Sequence, residues 1–232
     1  MKFNIVEIFC SIEGEGKRAG ILAQFIRLAG CNLKCSYCDT AYSWDTTSND
    51  FCYTQMSLIE ILSSLRVDVK AVTITGGEPL LSKNVNILID ALVENGFQVN
   101  IETNGAVDIS PFVNRYTGEQ LFFTIDYKLP SSGMEKKMII NNYRMLSNCD
   151  VIKYVVGSDE DAHVVVDSLT EIQSYYLKEQ IPMPQVYLGV VWGMYPAEKL
   201  VDLMKNNTDL FNQAHLQLQI HKFIWNPNER GV

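Results

Sequence analysis

Short runs of branched and aromatic residues alternate with amphipathic stretches along most of the chain, and that alternation limits the folds open to it. Residues 24–29, 69–75, 97–102, 121–126, 151–156 and 186–191 read as strands, and 216–220 closes the series. Residues 57–66, 84–95, 135–146, 160–177 and 197–205 carry apolar side chains at helical spacing. In 84–95, Val85, Leu88, Ile89, Leu92 and Val93 share one helix face, and Gly96 follows where a C-cap glycine belongs. Strands alternating with helices imply parallel βαβ units. The expected class is α/β, a curved sheet or partial TIM-type barrel of about six or seven mostly parallel strands. The 232 residues contain no internal repeat, low-complexity tract or long linker, so one domain over 1–232 is expected.

In this architecture the loops at the C-terminal strand ends carry the chemistry. The chemically suggestive residues fall there: 31–39 after the first strand, Gly76-Gly77-Glu78 after the next, then Asn104, then 128–132.

Composition narrows the function classes. Hydrophobic residues make up 47% and charged residues 20%, enough apolar material for a sizeable core. The net charge of −8 argues against direct nucleic-acid binding, which usually needs a basic face. Glu7 interrupts the apolar core that a secretory leader requires. No apolar run approaches the roughly 20 residues that span a bilayer. A soluble, cytoplasmic protein without membrane contact is expected.

There are six cysteines, and three of them form Cys31-x-x-x-Cys35-x-x-Cys38, followed directly by Asp39. Such clustering in a cytosolic chain indicates metal rather than disulfides. Cys10, Cys52 and Cys149 are scattered and read as ordinary buried thiols. Cubane iron–sulfur clusters normally take four thiolates. Three on one loop leave one iron open to chelate the amino and carboxylate groups of a small molecule. Zinc is the alternative, but a closed zinc site needs a fourth ligand. His163, His215 and His221 are all distant in sequence.

The cysteine spacing, with aromatic Tyr37 before the last cysteine, resembles the radical S-adenosylmethionine superfamily, and so does Thr75-Gly76-Gly77-Glu78-Pro79. That resemblance implies a [4Fe-4S] cluster on Cys31, Cys35 and Cys38 and S-adenosylmethionine held by the glycine-glycine-glutamate segment. It also implies reductive cleavage to a deoxyadenosyl radical with an external electron donor such as flavodoxin. Glycines permit close backbone approach, strand-edge carbonyls accept from an ammonium, and Glu78 adds negative charge.

Further segments resemble one family within it, the 7-carboxy-7-deazaguanine synthases. They are 9–16 with Glu13-Gly14-Glu15, Phe25-Ile26-Arg27-Leu28, Cys38-Asp39-Thr40, Glu102-Thr103-Asn104-Gly105, 126–134, Gln219-Ile220-His221-Lys222 and Arg230-Gly231-Val232. The family resemblance implies ring contraction of 6-carboxy-tetrahydropterin to 7-carboxy-7-deazaguanine with loss of ammonia, in deazapurine and queuosine biosynthesis, assisted by magnesium in a homodimer. It implies substrate contacts from Ile12, Glu13, Gly14, Glu15, Arg27, Thr75, His221 and the Val232 carboxylate. The family often carries glutamine where Glu13 stands, which favours a backbone contact there. It implies cofactor contacts from Tyr37, Cys38, Asp39, Gly77, Glu78, Lys128 and Ser131, and magnesium at Thr40. No residue is singled out as an acid or base. Arg27 suits the substrate carboxylate because its planar fork makes two parallel hydrogen bonds. Two other readings share parts of the pattern: a glycyl-radical activase, which has the triad and Gly-Gly-Glu-Pro, and a non-catalytic zinc or cluster module.

Overall fold

The structure is a computed structural model, which describes residues 1–113 and 115–232. In chain order the strands and helices are β1 (Lys2–Ile12), β2 (Leu22–Leu28), β3 (Thr54–Ser57), α1 (Leu58–Ser64), β4 (Ala71–Gly76), α2 (Val85–Glu94), β5 (Gln98–Thr103), β6 (Leu121–Tyr127), α3 (Ile140–Arg144), β7 (Val151–Val156), α4 (Asp159–Glu179), β8 (Gln185–Val190), α5 (Ala197–Asn206), α6 (Thr208–Phe211), β9 (His215–Leu216) and α7 (His221–Ile224). Among the described residues no helix is long and apolar enough to cross a membrane.

The strands form one open sheet in the order β3-β1-β2-β4-β5-β6-β7-β8-β9. From β2 to β9 every neighbouring pair is parallel, as the strand–helix alternation predicts. β1 and β3 are antiparallel additions at one edge. Neither is legible from periodicity. Glu7 and Ser11 interrupt the apolar pattern of β1, and β3 is only four residues long.

The helices lie on the outer side. Val72, Ile74, Val99, Ile101, Ile125, Ile152 and Leu188 face them and are fully buried. α1 starts where Ser57 and Glu60 satisfy each other's backbone N–H groups, a reciprocal cap.

Two predicted elements change form. Residues 135–146 do not make one helix: a 3-10 turn at Glu135–Lys137 precedes α3. Asn142 explains the break, because its amide donates to Gly105 O and Val107 O and accepts from Ile109 N, anchoring this segment to the loop after β5. The strand expected over 216–220 is confined to β9. Gln217 and Gln219 leave the sheet to bond the loop after β1, and His221 opens the one-turn helix α7 instead of ending a strand.

That loop, residues 13–18, crosses the inner side of the sheet as a floor. Glu13 meets Thr73 of β4, Glu15 meets Lys153 of β7, Arg18 meets Gln98 O of β5, and Gly16 N–H donates to Gln217 Oε1 at 2.7 Å.

Candidate active site

The loops at the C-terminal strand ends, the floor loop and residues 226–232 surround an open cavity of about 520 Å³. It is lined by Ile12, Glu13, Gly14, Glu15, Arg27, Cys31, Cys35, Tyr37, Cys38, Asp39, Thr40, Thr75, Gly77, Lys128, His221 and Val232. These come from both ends of the chain, and folding gathers them around one space.

The cysteine loop follows β2 and packs against the turn after β4. Gly77 makes that approach possible: a Cβ there would lie 2.3 Å from Gly30 O and 2.7 Å from Cys31 Cβ. Donors surround the sulfurs. Leu33 N–H points at Cys31 Sγ from 3.4 Å, Asn104 Nδ2 at the same sulfur from 3.6 Å, and Trp44 Nε1 at Cys38 Sγ from 3.3 Å. Burial raises the Cys31 thiol and pushes Cys35 up to about 11. Without metal both are therefore protonated, and a metal would have to displace the protons. Three sulfurs, two of them with N–H donors, suit an iron–sulfur cluster, whose properties depend on such hydrogen bonds. Among the described residues no group of three or more His, Cys, Asp or Glu side chains is set to hold a single ion. A cubane instead spreads its thiolates over separate irons.

Arg27 stands across the cavity mouth on β2. Its Nε donates to Glu7 Oε1 at 2.6 Å, directly across the β1–β2 ladder. Burial opposes its charge, but Tyr42, Glu7 and Glu102 outweigh that and keep it cationic.

The floor carries a buried charge network. Lys153 Nζ lies 3.2 Å from both Glu15 Oε2 and Asp126 Oδ1, and Lys128 Nζ donates to Asp126 Oδ2 at 2.7 Å. Burial works against the Lys153 ammonium, and Asp126, Glu15 and Glu102 overcome it. Asp126 Oδ1 is buried beneath the cavity wall, where it is ion-paired with Lys153 but accepts no hydrogen bond.

Glu13 accepts from Thr73 Oγ1 and is pushed up to about 8, first by burial and then by Glu102. Its backbone is already engaged: its N–H donates to Ile21 O and its C=O accepts from Gly20 N–H, both at 2.8 Å. Glu102 accepts from Thr75 Oγ1 at 3.0 Å. The His221 ring lies on Gly14, where a Cβ would come within 2.0 Å of Nδ1, and burial lowers its pKa toward the neutral imidazole. Lys222 Nζ lies 3.2 Å from Asp39 Oδ2.

Two of the sequence-predicted residues do not line the cavity. Glu78 is 1% exposed, and its oxygens take Leu80 N–H, Thr103 Oγ1 and Asn104 N–H, which ties the β4 turn to the end of β5. Ser131 is bonded to Asp161 through its N–H and hydroxyl, and its carbonyl takes Ser36 Oγ at 2.6 Å. Both hold loops in place. Conversely, Glu7, Tyr42, Trp44, Glu102, Asp126, Lys153 and Gln219 line or order the cavity without having been singled out. A signal existed for two of them: Asp126 and Lys153 are charges inside mostly apolar strands.

The Radical SAM superfamily model matches residues 25–113. A 7-carboxy-7-deazaguanine synthase from Clostridium acetobutylicum is 44% identical over 234 residues, covering 100% of both chains. The chain belongs to the 7-carboxy-7-deazaguanine synthase family. A second synthase, from Methanospirillum hungatei, is 36% identical over 96% of this chain and 86% of its own. A crystal structure described as QueE from Escherichia coli shares the fold, with a TM-score of 0.70 at 24% identity over 93% of each chain. As a member of an enzyme family of the radical S-adenosylmethionine class, the chain is neither a glycyl-radical activase nor a non-catalytic zinc module.

Proposed function

We propose that residues 1–232 form one radical domain that converts 6-carboxy-tetrahydropterin into 7-carboxy-7-deazaguanine and ammonia. The observation that carries this reading is the placing of the Arg27 guanidinium and the three cysteines around one cavity, with the buried charge network as its floor. Atoms balance without an external oxidant, since the amine lost accounts for the hydrogens removed.

Cys31, Cys35 and Cys38 would hold the [4Fe-4S] cluster, with Tyr37, Asp39, Gly77 and Lys128 around S-adenosylmethionine. When bound, these groups supply an organic radical that removes a hydrogen atom from the substrate carbon bearing the carboxylate. Arg27 binds that carboxylate through its two free Nη donors. Glu13 and Glu15 face the guanidine-like ring edge from the floor. Held as a neutral acid, Glu13 both donates and accepts, as glutamine does. Neutral His221, resting on Gly14, offers a donor or an acceptor from the wall. Thr40 Oγ1, 3.7 Å from Cys38 Sγ, would provide one oxygen of a magnesium shell otherwise completed by water and the substrate carboxylate. Val232 lines the cavity beside Arg230 and Gly231. Flavodoxin or a similar donor supplies the electron, and the working form is a homodimer.

The test is anaerobic reconstitution followed by dithionite, S-adenosylmethionine, magnesium and carboxy-tetrahydropterin, with product read by mass spectrometry. Deazaguanine product that vanishes in Cys35→Ala supports the reading. A brown protein that cleaves S-adenosylmethionine but never forms the deazapurine overturns the substrate.

A further inference from the structure

Arg27 is aimed by Glu7 on the neighbouring strand and, through it, by Tyr42 and Arg230, which line the cavity. Its Nε is spent on Glu7 Oε1 at 2.6 Å. The same Glu7 oxygen accepts from Tyr42 Oη at 2.9 Å. The Tyr42 ring carries the Arg230 guanidinium 3.9 Å from its centroid, with the Arg27 guanidinium at 5.8 Å. Arg230 Nη2 also holds Asp50 Oδ2 at 3.0 Å. Gly231 then brings the chain beside Glu7, where a Cβ would lie 3.9 Å from Oε2. Glu7 thus holds both Arg27 and Tyr42, and Tyr42 carries Arg230 of the C-terminal segment.

We propose that Glu7, Tyr42 and Arg230 are positioning residues that tie closure of the C-terminal segment to the aim of the Arg27 fork, and so set selectivity for a carboxylate-bearing ligand. Fixing Nε on Glu7 leaves Nη1 and Nη2 as a fork toward the cavity. A two-pronged grip depends on the plane of the guanidinium, and a small rotation loses one of its two bonds. Tyr42 holds Glu7 from the other side, and Arg230 holds Tyr42 by charge over the ring face. Asp50 and Glu7 balance the two guanidiniums that would otherwise repel across the ring. When the C-terminal segment lifts, Tyr42 loses Arg230, and Glu7 is free to swing away from Arg27. The ring-binding floor, from Glu13 to Glu15, is not part of this chain of contacts. Loosening the latch therefore weakens the grip on the carboxylate and leaves ring binding alone. This inference rests on the reading of Arg27 as the carboxylate grip.

The test is equilibrium dialysis of reconstituted protein with S-adenosylmethionine and magnesium, without reductant, so that nothing turns over. The probes are 6-carboxypterin and unsubstituted pterin, and the readout is the ratio of their affinities. Arg230→Gln and Tyr42→Leu are each expected to weaken 6-carboxypterin about tenfold while pterin stays within about twofold, the scale of one charge-assisted bond. Tyr42→Phe keeps the ring under Arg230 but drops the bond to Glu7, and is expected to fall between the parent and Tyr42→Leu. Arg230→Lys, which restores a cation over the ring, is expected to recover part of the ratio. In turnover, KM rises in these variants more than kcat falls. An unchanged ratio in Arg230→Gln, Tyr42→Leu and Tyr42→Phe, or equal weakening of both probes, overturns the latch. If those variants leave the ratio alone while Arg27→Gln lowers it, the latch fails and the carboxylate grip survives. If Arg27→Gln also leaves the ratio alone, both readings fall.

Discussion

Strands β4 to β7 carry two opposed surfaces on one backbone. On the outer surface Val72, Ile74, Val99, Ile101, Phe123, Ile125, Ile152 and Tyr154 are all 3% exposed or less. On the inner surface the alternate residues are Thr73, Thr75, Asn100, Glu102, Thr124, Asp126 and Lys153, joined by hydrogen bonds and ion pairs. Parallel sheets covered on both faces read as nearly continuous apolar runs. Here only the outer face is covered by helices, so polarity returns every second residue. The outer face is held by volume and apolar area, the inner face by hydrogen bonds and by ion pairs centred on Lys153 and Asp126.

The largest expected effect breaks that inner matching. Lys153→Met leaves Glu15 and Asp126 without their shared cation, and loss of one partner of a buried pair costs about 3–5 kcal/mol. Denaturant unfolding reads the loss, and product formation should stop. A cost no greater than that of a surface substitution would show the inner face to be wet rather than paired. Next comes the outer face. Ile101→Ala should cost about 2–4 kcal/mol through the cavity it leaves, with turnover per folded molecule unchanged. Reduced turnover at full folding would mean that the two faces are not independent.

A subtler effect concerns Glu13. Its folded pKa, pushed up to about 8 by burial and then Glu102, lies above its ordinary value of 4.5, so the fold favours the neutral acid. Its contribution to stability is complete below the ordinary value and disappears as pH rises through about 8. Melting temperature should therefore fall more between pH 5 and pH 8.5 in the parent than in Glu13→Gln, and equal slopes would remove Glu13 from the account. The smallest effect comes from outside both faces. Arg144 and Glu171 pair at 2.7 Å with side chains 39% and 60% exposed. Glu171→Gln should change stability by less than about 1 kcal/mol. A larger loss would blur the contrast between a paired interior and a solvated surface.

Much of this was legible in the chain. The parallel strands and the main helices follow from periodicity, because burying one face of a helix or strand dictates where apolar residues recur. The cysteine loop was legible because its three ligands fall within eight residues on one loop. Residues 135–146 were not, because Asn142 trades helix geometry for bonds to the loop after β5. Nor were the partners of Lys153, a charge that stands out among the apolar residues of its strand. Its charge is tolerated only because Glu15 and Asp126 arrive from elsewhere.

What the amino-acid sequence determined by itself was local: the strand and helix order, the metal-ligating triad and the glycines that let the β4 turn approach it. What only the tertiary structure decided was company. Gly16 and Gln217 bond at 2.7 Å across 201 residues, and Arg27 meets Glu7, Tyr42 and, through Tyr42, Arg230. The reason is physical. Side-chain period specifies which face of an element is buried, whereas the curvature of the sheet and the path of its connecting loops specify which faces meet.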